Sequence, residues 1–115
     1  MPGDLIYANE KYSTAVDIMA TGQADLRERL LDAYISQARR VIPILPGDGP
    51  EMTQGLADRI EKFDRRLTST TPLGDEGSYR ASVDAMTEQE VQEAAEELVA
   101  IHHYIQMELR DHGEW

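Results

Sequence analysis

The chain of 115 residues contains no cysteine. That excludes a disulfide framework, a thiolate metal site and a cysteine nucleophile, and it fits a reducing cytoplasm. Aromatic residues are scarce, with one tryptophan, one phenylalanine and five tyrosines. Most fall at core-like positions, so a base-stacking surface is not expected. No apolar run approaches the roughly 20 residues that a membrane-spanning helix requires. The opening Met1-Pro2-Gly3-Asp4 lacks the basic and apolar segments of a signal peptide. A soluble chain without membrane contact is the expectation.

Positive charge is also short, at 11 bases against 22 acids for a net charge of −11. The deficit is local. Residues 71–115 hold 11 acids against Arg80 and Arg110 alone, whereas residues 1–70 hold 11 acids against nine bases. Direct binding to a nucleic-acid backbone draws on clustered Lys and Arg, so it is not expected. The acidity keeps the chain in solution, and it also suits attraction to a basic protein partner.

What is present is helical periodicity. Composition is ordinary for a folded chain, 41% hydrophobic and 29% charged, and the length suits one helical domain over 1–115. Leu5, Ala8, Tyr12, Ala15, Val16 and Met19 recur at three- and four-residue steps, predicting a first helix over 5–20 capped by Asp4 and stopped by a left-handed Gly22. A second helix over 23–42 carries two adjoining apolar faces and so belongs at the centre. Asp25 and Arg29 are spaced to pair on its polar strip, and Arg39 and Arg40 complement its C-terminal dipole. A Pro- and Gly-rich turn over 43–50 follows. Pro50 then opens a third helix whose inner stripe is Met52, Leu56, Ile60, Phe63 and Leu67. Asp58–Lys62 and Glu61–Arg65 are spaced to pair on its wet side. After a polar loop, Ser78 caps a short helix with Tyr79, Val83 and Met86 inside. Thr87-Glu88-Gln89-Glu90 is a capping box starting a last helix over 88–111. The fold class is therefore all-α, a compact irregular or orthogonal bundle of four main helices plus one short helix.

Sites of chemistry are weakly marked. His102 falls within the apolar stripe of the last helix, as a packed residue whose ring nitrogens find local partners would. His103 points away from it, so the two do not chelate one ion. No helical metal pattern occurs, and neither metal nor cofactor is expected. Glu93, Glu96 and Glu97 sit opposite the core stripe, where solvation leaves a carboxylate unsuited to acid–base work. Gly47-Asp-Gly-Pro50 lacks the spacing and lysine of a phosphate loop, and Asp75-Glu-Gly77 has too few oxygens for calcium. The one distinctive surface lies on the back of the last helix. There Ala100, His103, Tyr104 and Met107 cluster at helical spacing, flanked by Glu93, Glu96, Glu97 and Asp111. An aromatic and a methionine on a wet face suit a protein contact, with a second copy or another chain.

The blocks Ala20-Thr-Gly-Gln-Ala-Asp-Leu-Arg-Glu-Arg-Leu-Leu-Asp-Ala-Tyr34, Leu67-Thr68 and Gly74-Asp-Glu-Gly-Ser-Tyr-Arg-Ala-Ser-Val-Asp-Ala-Met86 carry a resemblance. With the helix that follows, they resemble a group of short bacterial and phage proteins to which no activity is attached. The resemblance implies an all-helical fold and a bacterial or phage origin, and no site residues. Two function classes follow. One is a non-enzymatic interaction or regulatory protein, such as an inhibitor, an antitoxin-like factor or an accessory subunit, acting through the acidic, partly apolar face. The other is a small ligand-binding or enzymatic bundle with a polar site built from Arg29, Asp32, Arg80 and His102. Convergence of those four on one pocket distinguishes the second class from the first.

Overall fold

In the computed structural model, which describes residues 3–44, 52–70 and 77–111, apolar periodicity becomes five α-helices and one 3-10 turn. They are α1 (Gly3–Thr21), α2 (Leu26–Ser36), a 3-10 helix (Ala38–Ile44), α3 (Gln54–Arg66), α4 (Gly77–Asp84) and α5 (Glu88–Asp111). No strand occurs among the described residues. The result is an all-helical bundle of four main helices and the short α4, with principal extents of 43 × 27 × 21 Å.

Helix α1 begins at Gly3, so Asp4 lies inside it rather than capping it. Its predicted stripe is the buried one, with Leu5, Ala8, Tyr12 and Ala15 fully enclosed and Met19 nearly so. This stripe packs along α5 and α2. Gly22 ends the helix by donating its N–H to the Ile18 carbonyl at 2.9 Å, without the positive φ expected of it. Its role is space. A Cβ there would sit 2.8 Å from Cγ and Cδ of Arg29, whose guanidinium donates to the Met19 carbonyl. That bond also replaces the expected Asp25–Arg29 pairing, since the Asp25 carboxylate instead caps α2 by accepting the Glu28 N–H at 3.0 Å.

The second helix is shorter than its periodicity predicts. Proline at 43 supplies no N–H and crowds the carbonyl four residues back, so an α-helix cannot run through it. The chain ends α2 at Ser36 and tightens to 3-10 geometry over Ala38–Ile44. Ala38 and Val41 remain fully buried, because 3-10 geometry stacks residues three apart. Arg40 Nε donates to the Ser36 carbonyl at 2.7 Å, the C-terminal role its position implied. As expected, α2 is central and packs on α1, α4 and α5.

Helix α3 starts at Gln54 with Thr53 as its cap, the Thr53 hydroxyl accepting the Leu56 N–H at 3.2 Å. The predicted start at Pro50 lies outside the described residues. Leu56, Ile60, Phe63 and Leu67 are buried as one stripe. On the wet side Glu61 and Arg65 approach to 4.0 Å, while Asp58 accepts from Gln54 at 2.8 Å. Helix α4 opens at Gly77, whose φ of +78° suits glycine, and not at Ser78. The capping box forms as read: Glu90 Oε1 accepts the Thr87 N–H at 2.9 Å, and Thr87 Oγ1 accepts the Glu90 N–H at 3.1 Å. Helix α5 therefore spans the predicted 88–111 and buries Val91, Ala94, Leu98, Ile101, Ile105 and Leu109.

Candidate functional site

Because α5 is one unbroken helix, its angular positions are set by the 100° step. The buried residues occupy one side, α1 covers one flank and α3 the other. Glu97 and Tyr104 stand about a quarter-turn from the buried stripe, on the α3 flank. There Arg59 of α3 meets both. Its guanidinium donates twice to the Glu97 carboxylate, at 2.7 and 2.8 Å, and lies 4.6 Å from the centroid of the Tyr104 ring. The paired carboxylate raises the Arg59 pKa above its already high value, foremost through these hydrogen bonds. Two further links tie the helices. Arg66 approaches Glu93 at 3.8 Å, and the Glu108 carboxylate accepts the backbone N–H and hydroxyl of Thr53 at 2.9 and 2.5 Å.

These contacts correct the sequence reading of the acidic face. Glu97 does not lie opposite the core, and neither Glu97 nor the still exposed Glu93 is without a counter-charge. The long arginine side chains of α3 reach across and neutralise both, which linear charge counting cannot reveal. An open groove of about 850 Å³ lies between α3 and α5, lined by Arg59, Lys62, Arg65 and Arg66 alongside Asp58, Glu93 and Glu97. The acidity of residues 71–115 is thus met in space by bases from 1–70, as it is again where Arg27 approaches Glu88 at 3.6 Å. In the converse direction, Arg80 binds Glu28.

The true back of α5 carries Glu96, Val99, Ala100, His103, Met107 and Arg110. Val99 is 46% exposed, Met107 43% and, at the α3 edge, Tyr104 41%. Among the described residues Glu96 takes only a 3.3 Å hydrogen bond from Gln92. Beside Val99 a shallow apolar hollow opens, walled by Met19, Leu26 and Ala95. Of the expected residues Glu96, His103, Tyr104 and Met107 are exposed and Ala100 is half-buried, and Val99 is exposed as well. Val99 lies nearer the α1 flank on the helical wheel, away from the residues that spacing marked as the back, yet it is exposed beside Met19.

The four polar residues proposed as an alternative site do not come together. Arg80 and Asp32 share a hollow of about 250 Å³ with Glu28, Leu31 and Ile35. In it Arg80 is committed to Glu28 by two bonds of 2.9 and 3.0 Å. Arg29 is engaged by the Met19 carbonyl. His102 lies on the α1 flank near Asp17, its Nε2 buried without a hydrogen-bond partner among the described residues. The expected local partner is missing. Desolvation lowers the His102 pKa, opposed by Asp17 and assisted by His103, which disfavours the charged imidazolium. No group of three or more metal-ligating side chains converges among the described residues.

One polar cluster went unforeseen. Asp64 of α3 accepts the Tyr34 hydroxyl of α2 at 2.6 Å and the Tyr79 hydroxyl of α4 at 2.8 Å. Phe63 meets the Tyr34 ring edge-on at 5.5 Å, and Arg39 lies 5.6 Å from the Tyr79 ring centroid. Burial, then the Asp64 bond, pushes the Tyr79 pKa up to about 12 and raises that of Tyr34 further. Tyr12 is buried alongside, its pKa also raised by burial. The sequence marked only the need: Asp64 sits four residues after Ile60 on the edge of a buried stripe, and three tyrosines occupy inner faces whose hydroxyls need partners, but nothing in it pairs them. The two bonds to Asp64 join three helices, while the buried Tyr12 hydroxyl has no hydrogen-bond partner among the described residues.

Fold and site together define an all-helical bundle with one apolar-and-charged helix back left open. The chain matches no family model, no curated protein and no solved structure. Among the described residues no helix is long and apolar enough to cross a membrane.

Proposed function

We propose that this chain is a non-enzymatic interaction or regulatory protein whose contact surface is the back of α5. The observation that carries the reading is the exposure of Val99, Tyr104 and Met107, 41–46% each, on a helix whose opposite side is fully packed. Isolated exposed side chains are ordinary, but three large ones on one rigid helix, rimmed by charge, have the make-up of a contact patch. Arg59 holds the Tyr104 ring by its face, which lowers the ordering cost of using that ring in binding. The partner suited to it is a protein with an apolar strip beside basic groups, because Glu96 and Asp111 remain exposed there. An inhibitor, an antitoxin-like factor or an accessory subunit in a bacterial or phage-infected cytoplasm fits this description. The cysteine-free composition and the resemblance to short bacterial and phage helical proteins support that setting.

The alternative of a small ligand-binding or enzymatic bundle draws less support, since only Asp32 and Arg80 of its four residues share a hollow. The test is the double substitution Tyr104→Asp and Met107→Asp, checked for an unchanged circular-dichroism spectrum. Its expected outcome is loss of a contact made by the wild type, seen as solution mass or as capture of a defined partner from the native host. Mass and captured partners identical to wild type would remove the reading.

A further inference from the structure

The spacing of charge along the back of α5 selects one occupant for it. Glu96, His103 and Arg110 stand seven residues apart, two helical turns each, so they form one line along the helix. Val99 lies on one side of this line, and Ala100 and Met107 on the other. The ends of the line are of opposite sign and equidistant from its centre. Laid antiparallel against a second copy, with the twofold axis beside His103, Glu96 of each copy faces Arg110 of the other. The same rotation brings Met107 of one copy over Ala100 of the other. A self-complementary patch of this kind is what a twofold contact requires.

The net charge of −11 opposes self-association in general. Locally the objection is weaker. The two glutamates that would repel across the contact, Glu93 and Glu97, are drawn to α3 by Arg66 and Arg59. Apart from Asp111 at the end of α5, what remains is the line of Glu96, His103 and Arg110, with one acid and one fixed base. From these observations we infer that the back of α5 is the interface of an antiparallel homodimer. The inference rests on the reading above and names the partner as the chain itself.

Its 24 residues make α5 about 36 Å long, and one helix face falls below the roughly 800 Å² per partner of a standard interface. A contact of that size is a weak one, and the inference requires association no weaker than about 100 μM. The test is sedimentation equilibrium on the wild type, Glu96→Arg, Arg110→Glu and their equimolar mixture, up to several times that concentration. Glu96, His103 and Arg110 are all exposed, so the fold should persist, and unchanged melting curves verify it. The wild type should approach twice 13.0 kDa. Each single variant should stay near one chain mass, because like charges then meet at both contacts. The mixture should recover the dimer, since one variant carries two bases on the line and the other two acids, and opposite charges meet at each contact between unlike chains. A wild type that stays at 13.0 kDa throughout overturns the inference, as does a dimer that neither variant weakens. If the wild type is a monomer yet loses a host partner on Tyr104→Asp and Met107→Asp, the homodimer fails while the interaction reading stands.

Discussion

Replacing Asp64 with alanine should cost this small bundle a large part of its stability, because two hydroxyls depend on one carboxylate. Tyr34 is 1% exposed and donates to Asp64 at 2.6 Å. Removing the acceptor strands a buried donor, at about 1–3 kcal/mol, and forfeits a charge-assisted bond. Tyr79 is only partly buried and can turn to water, so its loss adds under about 1 kcal/mol. The expected total is about 2–4 kcal/mol, equivalent to a fall in Tm of roughly 8–16 °C for a domain of this size. Tyr34→Phe removes the donor together with its need for a partner and should cost about 1–2 kcal/mol. In the doubly substituted chain the loss should be smaller than the sum by about 1 kcal/mol or more, since the stranded hydroxyl is gone. Urea unfolding followed by circular dichroism measures all four forms of this cycle. An Asp64→Ala loss below about 0.5 kcal/mol, or strict additivity with Tyr34→Phe, refutes the assignment of Asp64 as the joint of α2, α3 and α4.

Three further outcomes follow from named contacts. Folded-state tyrosine pKa values are raised, to about 12 for Tyr79, so the unfolded chain deprotonates first as pH rises. Stability should hold below about pH 10, the ordinary tyrosine value, and fall as pH climbs through about 12, less steeply in Tyr34→Phe; denaturation at stepped alkaline pH reads this. The lowered His102 pKa has the opposite window: stability is lost as pH falls below about 6.5, so His102→Leu should gain on the wild type more at pH 5.5 than at pH 8 in thermal melts. The two glycines should respond with opposite signs. Gly22→Ala drives a Cβ to 2.8 Å from Arg29 and the Ile18 carbonyl and should lose about 1–2 kcal/mol, whereas Gly55→Ala meets nothing within 4 Å and should gain up to about 1 kcal/mol.

The helices and their inner faces were legible because periodicity and local signals agree. The Thr87–Glu90 box and the α5 stripe show it best, with the bonds of the one and the buried residues of the other where the spacing places them. Boundaries failed where a local rule competed with periodicity. Apolar spacing carries straight through Ala38 and Val41, yet α2 ends at Ser36 and the segment leading into Pro43 takes 3-10 geometry instead. Long-range polar pairing was not legible at all. Nothing in the linear chain says that Arg59 reaches Glu97, that Arg80 reaches Glu28, or that Asp64 serves two tyrosines, since these partners are 38, 52, and 30 and 15 residues apart. The exposed positions on the back of α5 follow from helical geometry, apart from Val99 on the α1 flank.

A contact role for that helix back is tested most directly by site-specific photo-crosslinking in the native host. A photoreactive side chain is placed in turn at Val99, His103 and Met107, and as controls at Asp32 in the α2–α4 hollow and at Thr14 on the exposed side of α1. The expected result is a discrete crosslinked product from the three α5 positions, to a second copy or one defined partner, and none from the controls. Products arising from Asp32 with α5 silent would contradict the contact role and move the function to the hollow beside Arg80.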